Sequence, residues 1–358
     1  MLTEPGANRK SCEMKILYAI QGTGNGHLSR AHDVIPALQK HGEVDILISG
    51  TQADVSIPYP VMYRLKGMSF IFGKSGGVDF MATILRTNLL RLLNEIRLLP
   101  VRKYDLVVND FEPVSAWAAR WRGVPSVSLS HQCALLSESA PRPATKDFLG
   151  EAILRYYAPA KVRYGFHFKR YDQLVFTPVI RHQIRKRQVS NLGHYTVYLP
   201  SYSTSRIVEF LENFPDTRWE VFCKHSSSAF NQGSIRVMPV AGDGFVESMA
   251  SSAGVFCGAG FETPAEALFM GKKLMVMPMA GQYEQQCNAA ALEEMGIPVI
   301  RNLHEKYIPV TGQWLGSPER VWVHYPDITA SVIAEMIEQF RWGTQPQELR
   351  IEGAVHGG

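Results

Sequence analysis

The chain has 358 residues, 46% of them apolar and 20% charged, which suits a globular protein of more than one domain and excludes a chain too polar to bury a core. The net charge of +4 conceals an uneven split: residues 1–193 carry 26 Lys and Arg against 15 Asp and Glu, while the remainder is net −7. The five cysteines (Cys12, Cys133, Cys223, Cys257, Cys287) are scattered without a CxxC pair, which argues against a disulfide framework or a zinc site and fits a reducing cytoplasm.

No run approaches the ~20 apolar residues that span a bilayer, and the first residues lack the apolar centre of a signal peptide. Residues 1–13 read as an extension without structural consequence. From there, short apolar runs rich in Val, Ile, Leu and Tyr alternate with helix-period stretches, the pattern of βαβ units in a parallel sheet. The first series of strands is expected at 16–20, 44–48, 106–108, 124–129 and 174–176.

After the first strand comes QGTGNGHLSRA (21–31), a glycine loop (Gly24, Gly26) with His27 at the start of a helix. The spacing is not the GxGxxG of a dinucleotide fold, and Ile48, Ser49 and Gly50 supply no acid at the end of the second strand, so NAD binding is disfavoured. A helix pattern with a broad apolar face follows at 83–99, flanked by Arg86, Arg91 and Arg97, and a basic aromatic stretch occupies 155–170. Together these could dock the first half on anionic lipid, although such a helix more often packs on its own sheet. Two side chains stand where strands end at a cleft: Asp110 in LVVNDF (106–111), and His131 in SLSHQ (128–132) as an acceptor contact or alternative base.

The polar, basic segment RHQIRKRQ (181–188), closed by Gly193, reads as a linker over 181–193. It separates a unit at 14–180 from one at 194–342, with a frayed tail at 343–358. The second series of strands is expected at 196–199, 219–223, 235–238, 254–257 and 274–277. Ser201 and Ser203 follow the first of these and could touch a phosphate; Phe245 is carried as a further candidate contact.

The most informative segment is GVFCGAGFETPAEAL (254–268), which reads strand, glycine loop, helix. Gly258 and Gly260 are expected to let the backbone turn sharply, Thr263 to cap the helix and Pro264 to take its first position. Free N–H groups and the positive end of the helix dipole would then face the cleft and hold a diphosphate without a metal. Gly271, Pro278 and GQYEQQCNA (281–289) continue the motif, and no Asp-x-Asp pair for a catalytic cation occurs.

The pattern GxGFxTxxEAL, then G, P and EQxxNA, resembles the donor signature of inverting GT-B glycosyltransferases, both the UDP-glycosyltransferases and the N-acetylglucosaminyltransferase of peptidoglycan lipid precursors. That resemblance implies an α/β fold of two doubly wound, Rossmann-like domains facing each other across a cleft. It implies that Gly260 and Thr263 bind the diphosphate, Glu266 the ribose hydroxyls, Glu284 and Gln285 the sugar hydroxyls, and that Asn288 supports the phosphate end. The sequence departs from the plant pattern in having Gly258 in place of His and Glu262 in place of Asn. Retaining relatives carry two Glu separated by seven residues; Gly258 stands eight before Glu266, so inversion is expected.

The GxGxGH loop is similar to the N-terminal loop of the same families, whose His is assigned as base. An attacking hydroxyl needs a base poised near neutral pH, which makes His27 the candidate, and a carboxylate such as Asp110 would fix its tautomer. The expected activity is metal-independent inverting transfer from a nucleotide-diphosphate sugar, UDP-linked, to a hydroxyl of a lipid-linked or cell-envelope acceptor. No separate cofactor and no nucleic acid are implied; the setting is the cytoplasm or the inner face of the membrane. A hydrolase or epimerase of the same fold, or a non-catalytic nucleotide-sugar-binding protein, are the alternatives.

Overall fold

A computed structural model describes residues 13–23, 25–50, 57–68, 88–224, 226, 228–240 and 243–342. Gly24, residues 83–87 of the expected basic helix and the tail from 343 lie outside the described residues. Among the described residues, β1 (Met14–Gln21), β2 (Gly42–Ser49), β3 (Tyr63–Leu65), β4 (Leu106–Asp110), β5 (Ser126–Ser130), β6 (Val162–Phe166) and β7 (Val175–Phe176) form one parallel sheet in the order β3-β2-β1-β4-β5-β6-β7. β1 is buried at all but one position, because helices cover both faces of a parallel sheet and select an unbroken apolar run.

The second sheet comprises β8 (His194–Tyr198), β9 (Arg218–Cys223), β10 (Phe230–Gln232), β11 (Ile235–Pro239), β12 (Gly254–Gly258) and β13 (Lys273–Met277), ordered β10-β11-β9-β8-β12-β13. Only the β10–β11 pairing is antiparallel. In each sheet the strand order reverses at one point, between β1 and β4 and between β8 and β12, where loops diverge and leave a crevice for a ligand.

All ten expected strands are present. β3 and β10 escape sequence reading because they are three-residue edge strands. β6 escapes it for another reason: Arg163 and the neighbouring Lys161 make it read as surface, yet Tyr164, Phe166 and Phe168 are almost fully buried. Of the basic stretch at 155–170, Tyr157, Tyr164, Phe166 and Phe168 are therefore core and not a lipid-facing surface, while Tyr156 is exposed.

The last helix, Thr329–Trp342, departs from the expected division at 194–342. It packs on the helix Asn25–Gln39 of the first half, and Val332, Ile333, Met336 and Ile337 are sealed into a core shared with Ile35 and Leu38. Tyr164 also donates its hydroxyl to Gln339, and Arg341 Nη2 donates to the His41 carbonyl at 3.1 Å. Its apolar stripe has to be covered, and the first sheet's outer helix offers the matching face. At the segment joining the halves, Arg185 donates from Nη1 and Nη2 to the carbonyls of Tyr325 and Pro326 at 2.8 and 3.0 Å.

Candidate active site

β1 and β4 run in register with Ile20 opposite Asp110, so the loop after β1 and the last residue of β4 meet at the sheet's C-terminal edge. His27 lies in the first turn of Asn25–Gln39 and places Nδ1 2.8 Å from Asp110 Oδ1. With Nδ1–H donated to that carboxylate, Nε2 keeps its lone pair. Nε2 faces the Gln132 amide nitrogen at 3.4 Å and the His27 side chain keeps 12% of its surface open.

One turn later Arg30 is 2% exposed. Its Nη2 lies 2.8 and 2.9 Å from the two Asp110 oxygens, and Nη1 donates to Glu262 Oε1 at 2.8 Å. Burial alone would lower the His27 pKa, but the Asp110 carboxylate outweighs it and leaves the imidazole above its ordinary value, with Arg30 opposing. Burial would raise Asp110; Arg30 and His27 overcome that and hold the carboxyl below its usual range.

The backbone just after Asp110 takes an unusual turn. Phe111 adopts φ +54°, a left-handed conformation costing a bulky side chain about 1–3 kcal/mol. The turn lets Glu112 cap the next helix, accepting from the backbone N–H of Val114 and Ser115 at 2.7 and 2.6 Å, and Asn109 Nδ2 ties back to the Glu112 carbonyl at 2.6 Å.

On the opposite wall, β12 leads through Ala259–Phe261 into the helix Glu262–Phe269, whose N-terminus no side chain among the described residues caps. The expectation for Thr263 is corrected here: Phe261 holds the cap position, Thr263 is the second helical residue and Pro264 the third. Packing sets this start, because the Phe261 ring is buried and stacked on His131 with centroids 3.8 Å apart. Neither Gly258 nor Gly260 takes a left-handed φ, so the dihedrals of the turn do not themselves require glycine there. A Cβ at Gly260 would meet nothing within 4 Å, so this glycine keeps space open above the helix N-terminus. A Cβ at Gly26 would lie 2.4 Å from Glu262 Oε2, so that glycine admits the carboxylate.

The remaining expected residues divide into two groups. Glu284 Oε2 accepts from Gln132 Nε2 at 3.1 Å, Gln285 Oε1 accepts from the Met279 N–H at 3.0 Å, and Asn288 Nδ2 donates to the Ala259 carbonyl at 3.1 Å. Glu266 is buried with Oε1 and Oε2 2.5 and 2.7 Å from Arg181 Nε and Nη2, so both oxygens are engaged. His131 does not open on the cleft as expected: it is 1% exposed, with Nδ1 2.8 Å from the Phe166 carbonyl and Nε2 2.7 Å from Asn288 Oδ1. Ser203 bonds Ser205 at 3.1 Å, Ser201 lies beside it in the turn after β8, and Phe245 packs on Tyr198 and Phe222; these join no other site residue. Sequence reading missed Arg30 and Gln132, which bridge the two halves, and Arg181, which reaches from the linker to Glu266.

The model of the family described as Glycosyl transferase family 1 matches residues 14–310. None of the curated proteins matches the chain. Among solved structures, MurG of Acinetobacter baumannii is similar at 16% identity and TM-score 0.51, covering 94% of this chain and 96% of that one. UGT2 of Phytolacca americana, solved with UDP-2fluoro-glucose and pterostilbene, is similar at 14% and 0.53, with 91% and 89% covered. A UDP-N-acetylglucosamine 2-epimerase is similar at 14% and 0.54, with 94% and 98% covered. At these identities the likeness is one of fold, the paired Rossmann-like architecture.

Proposed function

We propose, from the premise that the chain belongs to glycosyl transferase family 1 and has its GT-B fold, that it moves a sugar from a nucleoside-diphosphate donor, UDP-linked, to an acceptor hydroxyl with inversion. The observation that carries this reading is the His27–Asp110 pair standing across from an uncapped helix N-terminus beneath an open glycine. The half at 14–180 receives the acceptor and the half at 194–342, its last helix aside, holds the donor, with 181–193 between them.

In this reading the donor's diphosphate lies against the free N–H groups of Glu262 and Thr263 and the positive end of that helix, with the Thr263 hydroxyl beside it and Asn288 steadying Ala259 beneath. Glu266 takes the ribose hydroxyls once Arg181 yields them. Glu284 and Gln285 face the sugar. His27 Nε2 removes the acceptor proton as the acceptor oxygen bonds the anomeric carbon and the diphosphate oxygen leaves. Asp110 stabilises the imidazolium that forms. The helix N-terminus offsets the leaving charge, and the sequence holds no Asp-x-Asp pair for a cation, so transfer is expected without added metal.

Leu90, Leu93 and Leu98 are exposed on Leu89–Leu98 beside Arg91 and Arg97, and Phe148 and Tyr156 on Phe148–Tyr156 beside Arg155. These support peripheral contact with anionic lipid and a lipid-linked or envelope acceptor at the inner membrane face. Equal recovery in the supernatant with and without anionic liposomes at low salt would dispose of the membrane part.

Incubation with UDP-sugars tests the transfer. UDP released only with acceptor supports it, release without acceptor means hydrolysis, and a changed sugar means epimerisation, the second reading that the epimerase's likeness keeps open. An unchanged donor under every condition leaves a binding protein.

A further inference from the structure

Arg30 belongs to no motif, yet it is the most enclosed cation at the site. A guanidinium in such a place needs compensating charge, and it draws that charge from both halves: Asp110 at the end of β4 and Glu262 at the first position of the donor helix. Glu262 is the awkward residue of the donor loop. A carboxylate at a helix N-terminus claims the same field that a diphosphate would use. Here its Oε1 is held 2.8 Å from Arg30 Nη1, and only because position 26 lacks a Cβ can it lie there.

We propose that Arg30 is a positioning residue for transfer: it fixes Asp110 against His27 and holds the Glu262 carboxylate clear of the loop where the diphosphate lands. The inference rests on the reading given under Proposed function. Through this one side chain, the donor loop and the base share a charge network of two carboxylates, one guanidinium and one imidazole.

The groups facing His27 are Asp110 from β4, Arg30 from its own helix, Glu262 from the donor helix and the uncharged Gln132 amide. The two carboxylates favour the imidazolium, while burial and Arg30 disfavour it. Removing the guanidinium therefore lets His27 hold its proton to higher pH. It also returns an uncompensated Glu262 to the mouth of the donor site.

The test uses the full chain with Arg30→Gln, Arg30→Lys, Glu262→Gln and the Arg30→Gln/Glu262→Gln pair. His27 is titrated by NMR, its signal identified by its loss in His27→Gln; UDP affinity is measured by calorimetry, and kcat/KM is followed against pH. In Arg30→Gln the His27 midpoint and the acid limb of kcat/KM should rise by about one pH unit, and UDP should bind about tenfold more weakly. The double variant should regain UDP affinity to within about twofold with the limb still raised. Arg30→Lys, which keeps the charge but not the planar fork, should leave the midpoint within about 0.3 units of the wild type. Glu262→Gln alone should lower the midpoint without weakening UDP, and it carries the test if Arg30→Gln does not fold. An unmoved midpoint, or an activity loss equal at every pH with UDP affinity intact, overturns the proposal. The titration needs no donor: a wild-type chain that binds no UDP overturns the transferase reading and the donor half of this inference, while the Arg30–His27 link still stands or falls on the midpoint.

Discussion

Which nitrogen of His27 is free decides whether it can act as a base. Nδ1 is committed to Asp110, so proton removal falls to Nε2. His27→Gln should therefore lower kcat by about 10²–10⁴-fold while leaving the UDP dissociation constant unchanged, read by UDP release and calorimetry. The pH dependence follows from the same pair. His27 must be neutral to act, and its pKa lies above the ordinary imidazole value, so kcat/KM should fall as pH drops through that raised value. Asp110 acts on stability in the opposite range. Its folded pKa is depressed, so its stabilisation is complete above the unfolded carboxyl value of about 3.9 and is lost as pH falls through the folded one. Asp110→Asn, which leaves Arg30 without its buried partner, should cost about 3–5 kcal/mol at pH 7. That gap should close in acid as the wild type protonates; a gap in urea unfolding that stays constant from pH 7 to pH 3 would contradict the assignment. His27 and Asp110 were legible because each sits at the end of a recognisable strand. Arg30 was not, since its partners lie 80 and 232 residues away and no local pattern announces them.

At the scale of elements, alternation of apolar runs with helix periods located ten of the strands and missed β6 and two short edge strands, pieces whose burial or pairing is set by neighbours distant in sequence. The donor helix shows the limit. Thr and Pro at its start look like a cap and a first helical residue, but the buried Phe261 ring fixes the start two residues earlier than that chemistry alone would choose. Among the described residues nothing requires glycine at 260, because it takes no left-handed φ and a methyl there meets nothing within 4 Å. Gly260→Ala should therefore leave unfolding stability within about 0.5 kcal/mol of the wild type, yet weaken UDP binding at least about tenfold. Thermal unfolding and calorimetry separate the two; a variant that loses stability but keeps affinity would assign the glycine to folding.

For the whole molecule, a ligand held between the halves should be visible in the stability of both. UDP at a hundredfold excess over its dissociation constant should add about 2.7 kcal/mol to unfolding, and the thermal midpoint should rise with concentration; a midpoint indifferent to UDP would leave the donor site empty. The gross plan of two sheets with a crevice was legible from the repeated strand series. The return of Thr329–Trp342 to the first half was not, because an amphipathic stripe specifies that it needs covering but not by which surface. That return means the polypeptide passes between the halves twice, and Arg185 ties the outward passage to the backward one at Tyr325 and Pro326. A single thread would permit swivelling in any direction; two threads bound side by side behave as the spine of a book. If the pages part about that edge, the lip farthest from Arg185 is expected to travel most when a substrate enters or a product departs.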